Sequence, residues 1–180
     1  MVIRENKSQL RNRFRKERVD RFAEESWIHI ISANEFQGAK NIATYLSYGY
    51  EPKTDDINTA LLELGKNLYL PRLKENSDIE WVIWDGSQES LRMNGKIQEP
   101  TGTAEENTDF DVIIVPALHI DRQGNRLGQG GGSYDRVLEK SKAWKIALLH
   151  HGEITNEPLP LEPHDQKVSA AATPEIIVRF

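Results

Sequence analysis

The chain has no cysteine. That absence excludes disulfides, thiolate zinc sites and cysteine nucleophiles, and it fits a reducing compartment. Long apolar runs are missing as well. The longest are a few residues, far short of the roughly 20 that a membrane-spanning helix needs. The opening stretch, MVIRENKSQLRNRFRKER, is charged from its fourth residue and so lacks the apolar core of a signal peptide. These absences lead to the expectation of a cytoplasmic protein with no membrane partner. A length of 180 residues, with 38% hydrophobic and 28% charged side chains, fits one domain spanning 1–180.

Charge is present but unevenly placed. Net charge is -5, yet residues 1–21 carry eight Lys or Arg against three acids. Residues 7–18 read as a helix with Lys7, Arg11, Arg15 and Arg18 on one face and Leu10 and Phe14 beside them. Like charges at this spacing repel by a few tenths of a kcal/mol per pair, and a bound polyanion would relieve that. A solvated basic helix accounts for the spacing equally well. Nucleic acid is disfavoured as the polyanion, because the body is acidic and no recognition motif accompanies the helix.

Downstream, apolar spacing predicts a helix over 20–33, carrying Phe22, Ala23, Trp27, Ile30 and Ile31, and a strand over 39–48. A helix follows from Thr54 or Asp55 to Leu64. Residues 67–70 form a strand closed by Pro71, and IEWVIW (79–84) forms another. Residues 86–110 are polar and read as irregular surface chain. DVIIV (111–115) has the composition of a fully buried strand, WKIALL (144–149) is a second, and EIIVRF (175–180) is the last. Strands alternating with helices predict an α/β protein, a three-layer α/β/α sandwich around a mostly parallel sheet.

The most uneven stretch runs from Asp111 to Arg136. Five of the twelve glycines, Gly124, Gly128, Gly130, Gly131 and Gly132, fall within nine residues there. They are followed by Ser133-Tyr134-Asp135-Arg136, which reads as a helix start with Ser133 as its N-cap. Glycines let backbone N–H groups approach a ligand, and a helix N-terminus adds unpaired donors and a positive dipole end. Together they predict an anion site, with a flexible glycine-rich surface loop as the plainer alternative. No Gly-Lys-Ser or Gly-Lys-Thr follows, so it is not a P-loop. The cluster also begins thirteen residues after Val115, too late for a dinucleotide turn. The histidine pair His150-His151 alternates across a strand and cannot easily share a ligand. His119 and His164 lie near the glycine stretch and near Asp165, where both can be structural.

The run Asp121-x-x-Gly124-x-Arg126-Leu127-Gly128-x-Gly130-Gly131-Gly132-x-Tyr134-Asp135-Arg136-x-Leu138 closely resembles the signature of the 5-formyltetrahydrofolate cyclo-ligase family. Supporting matches lie at Lys7-x-x-x-Arg11, Glu51-x-x-Thr54, Gly65-Lys66-x-x-x-Leu70-Pro71-Arg72, Ile97-x-Glu99-Pro100, Asp111-x-Ile113-x-Val115-Pro116, His164-Asp165 and Thr173-Pro174. The resemblance spans essentially the full length.

It implies ATP- and Mg²⁺-dependent closure of 5-formyltetrahydrofolate to 5,10-methenyltetrahydrofolate, through phosphorylation of the formyl oxygen, with small molecules as the partners of a monomer. It implies ATP held by Lys7, Arg11 and the loop Arg126-Leu127-Gly128-Gln129-Gly130-Gly131-Gly132-Ser133-Tyr134, with Lys7 and Arg126 at the transferring phosphoryl group. It implies substrate contacts from Glu51, Trp81 and the loop residues Gln129, Gly130, Gly131, Gly132 and Ser133, and magnesium ligands at Asp135 and Asp165. Two positions depart from the resembled pattern: Ser133 stands where an aromatic is usual, and Ile79-Glu80-Trp81 stands for Met-x-Phe. Both bear on the folate pocket, so a folate- and nucleotide-binding protein without catalysis is the alternative.

Overall fold

The computed structural model describes residues 5–106 and 108–180. Residues 1–4 of the charged N-terminal stretch, and residue 107 within the 86–110 segment, lie outside the described residues. Helix α1 (Lys7–Arg21) starts on a reciprocal capping box, in which the Asn6 side chain accepts from Gln9 N–H and the Gln9 side chain accepts from Asn6 N–H. It runs three residues past the expected end and stops at Phe22. The helix expected over 20–33 does not form. Its residues instead finish α1, run extended and make a 3-10 turn (Ile28–Ser32), and the short helix α2 (Asn34–Gly38) follows. Trp27 and Ile30, three apart, suit the three-residue repeat of the 3-10 turn, and the Trp27 indole N–H donates to Leu149 O at 3.0 Å.

The strands follow in chain order as β1 (Asn41–Ala43), β2 (Asn67–Leu73) and β3 (Ile79–Trp84), with helix α3 (Asp55–Glu63) between the first two. Residues 86–110 are more ordered than expected, with a hairpin of β4 (Leu91–Asn94) and β5 (Ile97–Pro100), then β6 (Ala104–Glu105). Next come β7 (Val112–Pro116), β8 (His119–Asp121), β9 (Arg126–Leu127) and helix α4 (Ser133–Lys140). The chain closes with β10 (Trp144–Leu148), β11 (Ile154–Thr155), β12 (Ala170–Ala172) and β13 (Ile177–Arg179).

The main sheet has eight strands in the order β13-β12-β10-β7-β1-β2-β3-β6. Its centre, from β12 through β2, is parallel, and both margins are antiparallel. Alternation along β7 divides the core. Val112 and Ile114 face α3 and the Trp27–Phe36 segment, whereas Ile113 and Val115 face Leu138 of α4. Buried on both faces, this strand has no polar residue to alternate, which explains its continuous apolar run. The expected three-layer α/β/α architecture is the observed one.

Two strand ends differ from expectation in a way that shapes the site. β1 stops at Ala43 rather than near residue 48, and Tyr45 leaves the ladder. Its carbonyl accepts from Thr54 Oγ1 at 2.8 Å and Asn58 Nδ2 at 3.1 Å instead. β2, by contrast, continues through Pro71. Tyr69 O accepts from Thr44 N–H on the β1 side, so the ring nitrogen of Pro71 also points to that side, beyond the end of β1, where no ladder bond is lost.

Candidate active site

A cavity of about 510 Å³ opens beside the carboxyl ends of the central parallel strands, the usual ligand crevice of such sheets. It is reached by Tyr45 after β1, by Pro71 on β2 and by Pro116 and Ala117 at the end of β7. The loop from Arg126 to Asp135 forms one wall, and α1 lies across it.

Helix α1 is fixed there by three kinds of contact. Leu10 and Phe14 pack on Leu127 and Leu159, and Phe14 stacks face to face on the His119 ring at 3.7 Å. Deeper in, Arg18 is 4% exposed. It grips Glu153 through two 2.7 Å bonds and donates to Ala117 O at 2.6 Å. The four-residue cation stripe is therefore not one phosphate-facing row. Lys7 and Arg11 line the cavity, Arg15 reaches Gln129, and Arg18 is an internal strut.

In the loop, each of three glycines leaves room for a guanidinium. A Cβ at Gly128 would stand 2.5 Å from Arg126 Nη1, one at Gly130 would stand 3.3 Å from the Arg11 guanidinium carbon, and one at Gly132 would stand 3.3 Å from Arg136 Nη1. Gly130 and Gly132 also have φ of +110° and +67°, a region closed to most side chains. Gly132, not Ser133, is the N-cap of α4; Ser133 is its first helical residue and makes no capping bond. The left-handed turn at Gly132 replaces the side-chain cap.

The cations are already engaged. Lys7 Nζ lies 2.7 Å from Asp165 Oδ1 and 2.6 Å from Glu162 Oε2. Arg11 donates to Gly128 O at 2.9 Å. Arg126 donates to Pro116 O at 3.1 Å and to Asp135 Oδ1 at 3.0 Å, and the same oxygen accepts from Gln166 N–H. Lys7 and Arg126, the two cations expected at the transferring phosphoryl group, are thus each paired with an expected magnesium ligand. Although burial opposes it, hydrogen bonds from Lys7 and Glu162 N–H hold the Asp165 carboxyl below its usual range.

Glu162, His164 and Asp165 place one ligand atom each within 4.8 Å of one another, a set that fits a hard divalent cation once Lys7, which here bonds both Asp165 oxygens and Glu162, turns to another anion. Asp135 lines the same cavity, but Oδ1 is taken by two donors, which leaves Oδ2 as its open position among the described residues.

Beyond the loop, Glu51 is 8% exposed and accepts from Tyr48 N–H at 3.1 Å, and burial pushes its carboxyl up. Beside it the Tyr45 hydroxyl is buried with no hydrogen-bond partner among the described residues, and burial also raises its pKa and that of Tyr134. The loop residues Leu127, Gln129, Gly131, Ser133 and Tyr134 line the cavity. Trp81 does not. It packs edge-on behind Tyr134 and Phe110, and Ile79, two residues earlier on the same face of β3, lines the cavity instead.

Sequence reasoning passed over Tyr45, Leu46, Tyr48, Glu99 and Glu162 as site residues. Glu162 was within reach, as it precedes Asp165 by three residues; the others needed the end of β1 and the β4–β5 hairpin to be known. Among the histidines, His150 is buried with Nε2 against Tyr50 O at 3.0 Å, while His151 is exposed near Glu25 and Glu175. The two rings thus make separate contacts, and the pair lies past the end of β10 rather than alternating along a strand.

Comparison with known proteins agrees with the fold. The profile of the 5-formyltetrahydrofolate cyclo-ligase family matches residues 1–174. A 5-formyltetrahydrofolate cyclo-ligase of Mycolicibacterium smegmatis is 32% identical over 76% of this chain and 74% of its own length. Its counterpart in Escherichia coli K12 is 31% identical over 76% of this chain and 79% of its own. The solution structure of Aquifex aeolicus 5,10-methenyltetrahydrofolate synthetase superposes with a TM-score of 0.79 at 28% identity, covering 96% of this chain and 92% of that one. The family profile spans nearly the whole chain, and the protein belongs to the 5-formyltetrahydrofolate cyclo-ligase family.

Proposed function

We propose that the protein closes 5-formyltetrahydrofolate to 5,10-methenyltetrahydrofolate at the expense of ATP and Mg²⁺, releasing ADP and phosphate. The observation that carries this is one cavity combining a cation-and-glycine wall with a buried carboxylate, Glu51, whose pKa is raised. A formamide oxygen is a poor leaving group. Its attack on the γ-phosphorus forms an O–P bond as the bond to ADP breaks, and a good leaving group results. The N10 lone pair then forms a bond to the formyl carbon, phosphate departs with its oxygen, and N10 gives up its proton.

The chain's part is to hold the phosphates with Lys7, Arg11, Arg126 and the loop N–H groups, and to accept the N10 proton at Glu51. Fixed donors around the transferring group are what such chemistry needs. A carboxylate with a raised pKa is a better proton acceptor near neutrality. Asp165, with Glu162 and His164, and the open oxygen of Asp135 would hold Mg²⁺, which supplies charge neutralisation on the phosphates. We infer a single-domain monomer working in the cytoplasm; among the described residues no helix is long and apolar enough to cross a membrane.

Purified protein given ATP, Mg²⁺ and 5-formyltetrahydrofolate is expected to generate the methenyl chromophore. No ATP-dependent absorbance change, with a relative active in parallel, would refute the proposal. Binding of both ligands without turnover would point instead to a binding protein of the same fold.

A further inference from the structure

Five carboxylates line the cavity: Glu51, Glu99, Asp135, Glu162 and Asp165. Three of them are occupied by cations, since Arg126 holds Asp135, and Lys7 holds Glu162 and Asp165. Glu51 sits among tyrosines and is assigned above to the reacting nitrogen. Glu99 remains, and neither the phosphates nor the proton transfer uses it.

Its surroundings are unusual for an acid. Glu99 lies on β5 and is 2% exposed. Oε1 accepts from Leu73 N–H at 3.2 Å, and Oε2 has no hydrogen-bond partner among the described residues. The nearby guanidinium of Arg72 is spent elsewhere, on Glu80 and on the carbonyls of Pro100 and Gly102. The cavity wall around Glu99 is otherwise apolar, made by Pro71, Leu73, Ile79 and Ile97. Leaving a buried carboxylate oxygen unpaired is costly in proportion to its desolvation. A group in that state inside a ligand cavity is explained if the ligand completes it.

The chemistry that completes it is narrow. The ligand must be flat and weakly polar on its faces to lie against Pro71, Leu73, Ile79 and Ile97. It must also carry N–H donors on one edge for a carboxylate. The 2-amino group and adjacent ring N–H of an aminopyrimidinone meet both conditions, with two parallel donors facing one carboxylate. Resting on the folate reading above, we propose that Glu99 receives the aminopyrimidinone edge of the pterin, and thereby fixes which way round the reduced folate enters. Glu51 is then free to face N10, and the two buried acids divide recognition from proton transfer.

The test is calorimetric binding of 5-formyltetrahydrofolate to the full chain, native and Glu99→Gln, with ATP titrated separately. An analogue carrying methyl in place of the 2-amino group is run alongside. The expected result is an affinity for the reduced folate about 10- to 100-fold weaker in the variant, with ATP binding unchanged. Native protein should reject the analogue, and the variant should lose most of that discrimination. Equal folate affinity in native and variant, or equal discrimination in both, overturns the proposal. If Glu99→Gln does not fold, the native protein decides alone: parent and analogue binding equally well overturns it. Native protein that binds no reduced folate fails the functional reading itself, an outcome distinct from these.

Discussion

His119 gives the sharpest test of how α1 is held. Its ring is 3% exposed and stacked on Phe14, and its Nδ1 has no partner among the described residues. Burial lowers its pKa from 6.5 to about 4, with Arg18 and Arg21 adding to the shift and Glu153 and a backbone bond opposing it. The folded state therefore binds this proton more weakly than the unfolded chain. Between those two values the unfolded chain carries more protons, so stability falls as pH falls.

Linkage over that window makes the loss from pH 7 to pH 5 about 2 kcal/mol for this one group. For a chain of this length that is about 4–8 °C in melting temperature. Replacing His119 by Phe keeps an aromatic stack on Phe14 and removes the titration. His150 is shifted the same way by burial, so both proteins retain a slope from that residue. The expected outcome is a drop in melting temperature from pH 7 to pH 5 that is smaller in His119→Phe by about the amount above. Parallel curves for native and variant would refute the reasoning.

Two further outcomes concern the same helix. Arg18→Met should destabilise the fold by about 3–5 kcal/mol in urea unfolding, because Glu153 is left buried without its cation; adding Glu153→Leu should restore part of the loss, and no recovery would count against the ion-pair account. Lys7→Ala should weaken ATP binding about 10-fold or more in calorimetry while sparing the reduced folate. Equal loss for both ligands would place Lys7 at the wrong end of the cavity.

The sequence carried the centre of the sheet and the glycine-and-arginine loop plainly, because each rests on local signals. A strand buried on both faces, such as β7, has to be apolar throughout, and a loop that makes room for arginines has to be glycine. The helix expected over 20–33 failed because its apolar spacing suits a 3-10 turn as well as an α-helix, and the Trp27–Leu149 bond that decides between them is made across the fold. Trp81 was misplaced for a similar reason. Ile79 and Trp81 share one face of β3, and which of them reaches the cavity depends on where Tyr134 comes to rest. Arg18 shows the limit most clearly. Its position in the cation stripe is the same as that of its neighbours, and only Glu153, 135 residues away, turns it inward.

The three glycines that leave space for Arg126, Arg11 and Arg136 bear on what could be transplanted. Residues permitted at 128, 130 and 132 are decided by side chains on three different segments, one of them α1. Grafting the loop alone onto another scaffold would carry the hollows without what fills them. The smallest portable unit is the loop together with α1 and the first turn of α4, so the motif is modular in sequence and not in space.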